Sequence, residues 1–197
     1  TNYVAFNGAA VTQRNIDFGA TARAMRGLQF GAGSAGEGFT FSNGTLQLGR
    51  GGIANYSSAA QTLASTLDVT LTDHQYWDAR NAGLQVNGAV NLNGKLLVVQ
   101  GNHNTTIGGV VSDSAGTSVG LTKYGTGTLT LAQPATYAGK TWIYGGTLGF
   151  TGAGALPASM PLVLANNNTA RLALDGRSLT VSSLSSFAGP AGQQGTI

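Results

Sequence analysis

The sequence predicts an all-β chain, a parallel β-solenoid with about 20 residues per coil, and three observations carry that reading. Apolar residues recur in pairs two positions apart. Asn-Gly and Gly-Gly dipeptides separate the pairs. The phrase Gly-Thr-Leu returns at residues 44–46, 127–129 and 146–148. The last two copies are 19 residues apart, and the first two are 83 apart, close to four steps of about 21. At about 20 residues per coil and ~4.8 Å per coil, the chain makes roughly nine or ten coils and a rod of roughly 45 Å.

The pairs run in order along the chain as Leu28/Phe30, Phe39/Phe41, Leu46/Leu48, Leu67/Val69/Leu71, Leu84/Val86, Val90/Leu92, Leu96/Val98, Leu129/Leu131 and Leu172/Leu174. Each has the period of two of a strand with one buried face. Between them lie Asn7-Gly8, Asn43-Gly44, Asn87-Gly88 and Asn93-Gly94, with Gly51-Gly52, Gly108-Gly109 and Gly145-Gly146. Asn and Gly tolerate the left-handed backbone that sharp corners need. An antiparallel sandwich of hairpins uses the same ingredients, and the period near 20 favours the solenoid.

Residues 54–64 place Ala59, Ala60, Leu63 and Ala64 near helical spacing, but Tyr56, Ser57 and Ser58 argue for a loop. The Gly-rich stretches 31–38, 112–120 and 189–195 read as excursions between coils, so residues 1–197 form one domain. Asn166, Asn167 and Asn168 read either as a corner Asn ladder or as a polar loop.

Composition narrows the function. Charged residues are 9% of the chain against about 25% in ordinary globular proteins, and Gly occupies 31 positions. The net charge of +3 comes from ten scattered basic and seven acidic residues, with no basic stripe for phosphates and no basic-aromatic interleaving for bases. Nucleic acid is therefore not an expected partner. With no cysteine there is neither a disulfide framework nor a Cys-based metal site, a composition compatible with export. The longest strongly apolar run, residues 96–99, is far short of the ~20 residues that cross a bilayer as a helix. Without an initiator Met or a leader pattern at its start, the chain is expected to be a segment of a longer or processed protein.

Candidate chemistry is sparse. Asp68, Asp73 and Asp78 cluster in sequence near His74 and Arg80, but a hydrolytic pair needs carboxylates about 5 to 10 Å apart across a groove, which no spacing here imposes. Glu37, the sole Glu, reads as a surface charge. Gly31, Gly33 and Gly36 spell a Gly-x-Gly-x-x-Gly, but the strand pattern at residues 39–41 replaces the required helix and Tyr56 replaces the ribose-binding acid. His74 and His103 have no zinc-ligand spacing, and there is no nucleophile elbow or calcium repeat. No catalytic, metal or cofactor residue is assigned. Trp77, Trp142, Tyr76, Tyr124 and Tyr144 are the candidates for an aromatic sugar platform. Trp77 reads as core, whereas Trp142 and Tyr144 flank Ile143 and turn outward if it turns inward.

Residues 121–150 carry the pattern Lys123, Gly125, Gly127, Leu129, Leu131, then Tyr137, Gly139, Thr141, then Gly146 and Leu148. This resembles the passenger-associated transport repeat, also called the autotransporter-associated β-strand repeat. Ile143 stands for the usual Val, and Pro134-Ala135 for the usual Ala-Asn. Looser likeness extends upstream to about residue 23. The resemblance implies a right-handed parallel β-helix exported to a bacterial surface. It implies a non-catalytic scaffold, stalk or adhesin, reached through an outer-membrane region absent from this chain. Partners are expected to be further copies of itself, other surface proteins or glycans. The alternatives are a polysaccharide-acting β-helix enzyme and a carbohydrate-binding module.

Overall fold

The computed structural model describes residues 3–6, 15–32, 38–165 and 169–187. Among them there is no helix, and every strand pair is parallel, as a solenoid requires and a sandwich of hairpins forbids. The strands lie on three faces, visited in the same order on each coil up to β13; after it the described strands alternate between the second and third faces. The first face begins with the leading halves of β3 (Arg23–Phe30) and β5 (Gly44–Asn55) and continues as β7 (Leu67–Leu71), β10 (Val90–Asn91) and β13 (Val111–Ser112). The second contains β1 (Tyr3–Phe6), the trailing halves of β3 and β5, β8 (Gln75–Ala79), β11 (Leu97–Gly101), β14 (Leu121–Lys123), β16 (Thr141–Ile143), β18 (Met160–Ala165) and β20 (Val181–Phe187). The third contains β2 (Asn15–Asp17), β4 (Thr40–Ser42), β6 (Gln61–Leu63), β9 (Leu84–Val86), β12 (Thr105–Ile107), β15 (Thr128–Leu131), β17 (Gly146–Phe150) and β19 (Ala170–Leu172).

Register converts the period-two pattern into interior columns. On the first face Leu46, Val69, Val90 and Val111 stack in line. On the third, Phe41, Leu63, Val86, Ile107, Leu131 and Phe150 do the same. Nearly all are closed to solvent, because successive coils sit only ~4.8 Å apart and each side chain is covered above and below by its counterparts. At the N-terminal end the columns give way to packed rings, with Phe6 against Phe30 at 5.4 Å and against Phe39 at 4.8 Å.

The coil number differs from expectation: the solenoid has about seven turns, about 23 residues apart. The 19-residue step between Leu129 and Leu148 is the shortest among the described strand pairs. The step from Leu97 to Leu121 is 24 and that from Leu28 to Ile53 is 25, because the Gly-rich excursions lengthen those coils. The 83-residue step has no structural meaning, since Leu46 lies on the first face and Leu129 on the third.

A second correction concerns strand β11. Leu97 and Val99 face the core, at 0% and 1% exposure, while Val98 points to the outer side between Tyr76 and Thr122, where its neighbours cover it to 5% exposure. In a continuous apolar run the period of two does not choose a face, and a one-residue slip inverts the assignment. Residues 54–64 form the end of β5, a bend and β6, with the Ser57 hydroxyl donating to Asn55 Oδ1 at 2.8 Å, so the loop reading holds. Asn7-Gly8, the 189–195 stretch, the Asn166–Asn168 run, Gly33, Gly36 and Glu37 lie outside the described residues.

Removing one link of a column exposes its dependence on stacking. Leu129→Ala, at a fully buried site, is expected to cost about 2–5 kcal/mol in denaturant unfolding. Leu184→Ala, at 60% exposure, is expected to stay within about 0.5 kcal/mol. Equal losses at the two positions would contradict the column packing.

Candidate functional site: the repeat corner and the outer aromatic face

The ten motif residues of 121–150 come together around one coil and its neighbours, and each has an architectural task. Leu129, Leu131 and Leu148 are interior column residues. Tyr137 is buried, its hydroxyl 2.6 Å from Thr141 Oγ1, and Thr141 is itself fully buried. Gly125 and Gly146 turn the corner between the second and third faces with φ of 75° and 67°, in the left-handed region that glycine enters without strain. A Cβ on Gly139 would overlap the Val119 carbonyl of the preceding coil.

Lys123 is the unexpected member. It occupies the interior column Trp77, Val99, Lys123, Ile143, where every other residue is apolar, and it is 2% exposed. Its ammonium donates to the carbonyls of Tyr124 at 2.5 Å, Gly125 at 3.2 Å and Gly145 at 3.4 Å. Two acceptors belong to its own coil and one to the next, so the ammonium ties consecutive corners together. Burial lowers its pKa from 10.5 to about 8, leaving it largely protonated at neutral pH. The sequence held a signal for this placement, since Lys123 shares the parity of the inward-facing Leu121.

The acidic cluster does not converge. Asp68 lies outside the first face, accepting from the Ala89 N–H at 2.9 Å. Asp73 sits at the next corner, 3.3 Å from Arg50 Nε. Asp78 lies on the second face, where Oδ2 accepts from Arg80 Nε at 3.2 Å, Arg80 Nη2 at 3.1 Å and Gln100 Nε2 at 3.3 Å. Both histidines bond to backbone of an adjacent coil: His74 Nδ1 accepts from the Leu96 N–H at 2.8 Å, and His103 Nδ1 lies 3.0 Å from the Arg80 carbonyl. Among the described residues no group of three or more His, Asp or Glu is placed to hold a metal ion.

Sequence reasoning passed over Asp113. Burial pushes its carboxyl up. The N–H groups of Gly94, Thr117 and Ala115 and the Thr117 hydroxyl outweigh that and hold its pKa below 3.8. It closes the corner after β13 onto the preceding coil.

The outer aromatic face forms on the second face. Ile143 turns inward at 1% exposure, so Trp142 and Tyr144 turn outward, both partly exposed. Tyr144 stacks on Tyr124 of the preceding coil with ring centroids 4.4 Å apart and planes 1° apart, and Trp142 lies parallel to Tyr144 at 5.6 Å. Lys140 Nζ sits 5.9 Å from the Trp142 ring centroid. Tyr76 is outward at 57% exposure, while Trp77 is wholly interior, as its sequence context implied.

Compared with family models, curated proteins and solved structures, the chain matches none.

Lys123 has a readable pH signature. Between pH about 8 and 10.5 the unfolded chain retains a proton that the folded chain has released, so stability rises with pH across that window. Burial raises the Tyr137 phenol well above 10.0, against a smaller opposing effect of Thr141, so above that pH the unfolded chain ionises first and stability falls. Lys123→Met is expected to abolish the rise on the alkaline side of pH 8. Near pH 7 it should cost about 1–3 kcal/mol by leaving the buried Gly145 carbonyl and two part-buried ones without this donor. Unchanged unfolding profiles in the variant would refute the corner role.

Proposed function

We propose that this chain is a segment of a non-catalytic bacterial surface protein, an exported β-solenoid serving as scaffold, stalk or adhesin, with a capacity to associate into fibres. One observation carries the reading: every residue of the 121–150 motif is used in stacking, corner formation or interior packing, which leaves none of them to act on a substrate. The dispersed carboxylates support the same view, since Asp68, Asp73 and Asp78 each hold a neighbouring group and share no groove. The resemblance to the passenger-associated transport repeat supplies the exported, surface-displayed setting. Parallel stacking of coils supports the capacity to associate, because a coil edge left unpaired can pair with a further coil.

Electron microscopy of the purified protein over a concentration series, with antibody labelling of intact cells of the source organism, tests this. The proposal expects slender particles that lengthen into filaments as concentration rises and label on unpermeabilised cells. Compact particles, or labelling only after permeabilisation, would overturn it.

A further inference from the structure

The stack of Tyr144 on Tyr124 leaves a consequence on its other side. Each ring covers one face of its partner, and because Tyr144 belongs to the following coil, the uncovered face of Tyr124 looks toward the preceding one. There a recess of about 210 Å³ opens, walled by Asp78, Arg80, Gln100, Asn102 and the Tyr124 ring. It is smaller than the ~300–1,000 Å³ of a drug-sized site, so it suits a single ring.

Its chemistry is specific. One wall is an aromatic face, 40% of Tyr124 being exposed. The others carry a carboxylate, a guanidinium and two amides, all of which exchange hydrogen bonds with hydroxyl groups. The Asp78 side chain is 7% exposed, and its Oδ1 is buried with no hydrogen-bond partner. A carboxylate oxygen left in that state is costly and asks for a donor. Arg80 and Gln100 both donate to Oδ2, and the Arg80 side chain is 53% exposed at the rim of the recess. The carboxylate disfavours phosphate or acidic ligands, and the ring favours a ligand with an apolar face and a polar edge.

We propose that this recess binds one neutral pyranose unit of a polysaccharide, its C–H face on Tyr124 and its hydroxyls on Asp78, Gln100 and Asn102. A second recess of about 270 Å³, bounded by His74, Leu96, Lys140 and Trp142, lies at the start of the strands of the same face and gives a longer chain a second foothold. The site does not depend on the scaffold role; a solenoid that never polymerises carries it equally.

The test is calorimetric titration of the folded protein with short neutral cello-, xylo-, manno- and chito-oligosaccharides, with acidic oligogalacturonate as the contrast. At least one neutral probe is expected to bind. Tyr124→Ala should weaken that binding by about tenfold or more, and Tyr124→Phe should retain it. Circular dichroism checks the fold of each variant. Should Tyr124→Ala fail to fold, the exposed Asn102→Ala carries the test and is expected to weaken binding severalfold. No binding by any neutral probe, binding of oligogalacturonate alone, or undiminished binding in the folded Tyr124→Ala or Asn102→Ala protein would each overturn the proposal. Filament formation without sugar binding would remove this inference and leave the scaffold reading standing.

Discussion

In-register stacking of coils is the constraint on which everything else depends. At ~4.8 Å between strands, an interior side chain has its counterpart in the next coil as its nearest neighbour, and a column tolerates only residues that fit above and below one another. That is why Leu, Val, Ile and Phe recur at period two along the strands and at matching positions down the columns. It is also why corners need residues that bring backbones close together: a Cβ on Gly88, Gly109 or Gly127 would overlap backbone of the coil before. A chain so built meets its demand for buried apolar surface with few residues per coil, without a disulfide and, among the described residues, without a helix.

The corner after the second face shows how a polar group is admitted to such an interior. Lys123 replaces an apolar link between Val99 and Ile143 and brings its charge to the part-buried carbonyls of the corner. A buried ammonium is tolerable when several acceptors surround it, and here one acceptor comes from the following coil, so the charge adds register as well as compensation. Asp113 does the complementary task at another corner, where a carboxylate gathers backbone N–H groups from two coils. In both places a charged side chain replaces the backbone partner that a turn removes.

Much of this was legible from the residues. Period two with Asn and Gly punctuation predicts short strands and corners, and the Gly-Thr-Leu copies at 127–129 and 146–148 predict stacking; the parallel register bears both out. The coil length was misjudged because identical tripeptides occupy different faces at Leu46 and Leu129, and a local match carries no information about which face it builds. The β11 strand was read one residue out because Leu96, Leu97, Val98 and Val99 are all apolar. The outward turn of Trp142 and Tyr144 followed from the inward parity of Ile143. Their stacking on Tyr124, and the recess beyond it, did not, because contacts between coils depend on spacings that vary from 19 to 25 residues.

The outer surface is accordingly where this solenoid differs from a generic one, since its interior chemistry serves only to hold coils in line. That account stands on the parallel column through Trp77, Val99, Lys123 and Ile143. Nuclear magnetic resonance of the isotopically labelled protein, measuring backbone proton contacts between these positions, tests it most directly. The account predicts cross-peaks linking each residue to its counterpart one coil away, in parallel register. Cross-peaks pairing sequence-adjacent strands antiparallel, such as β16 against β17 as a hairpin, would contradict it.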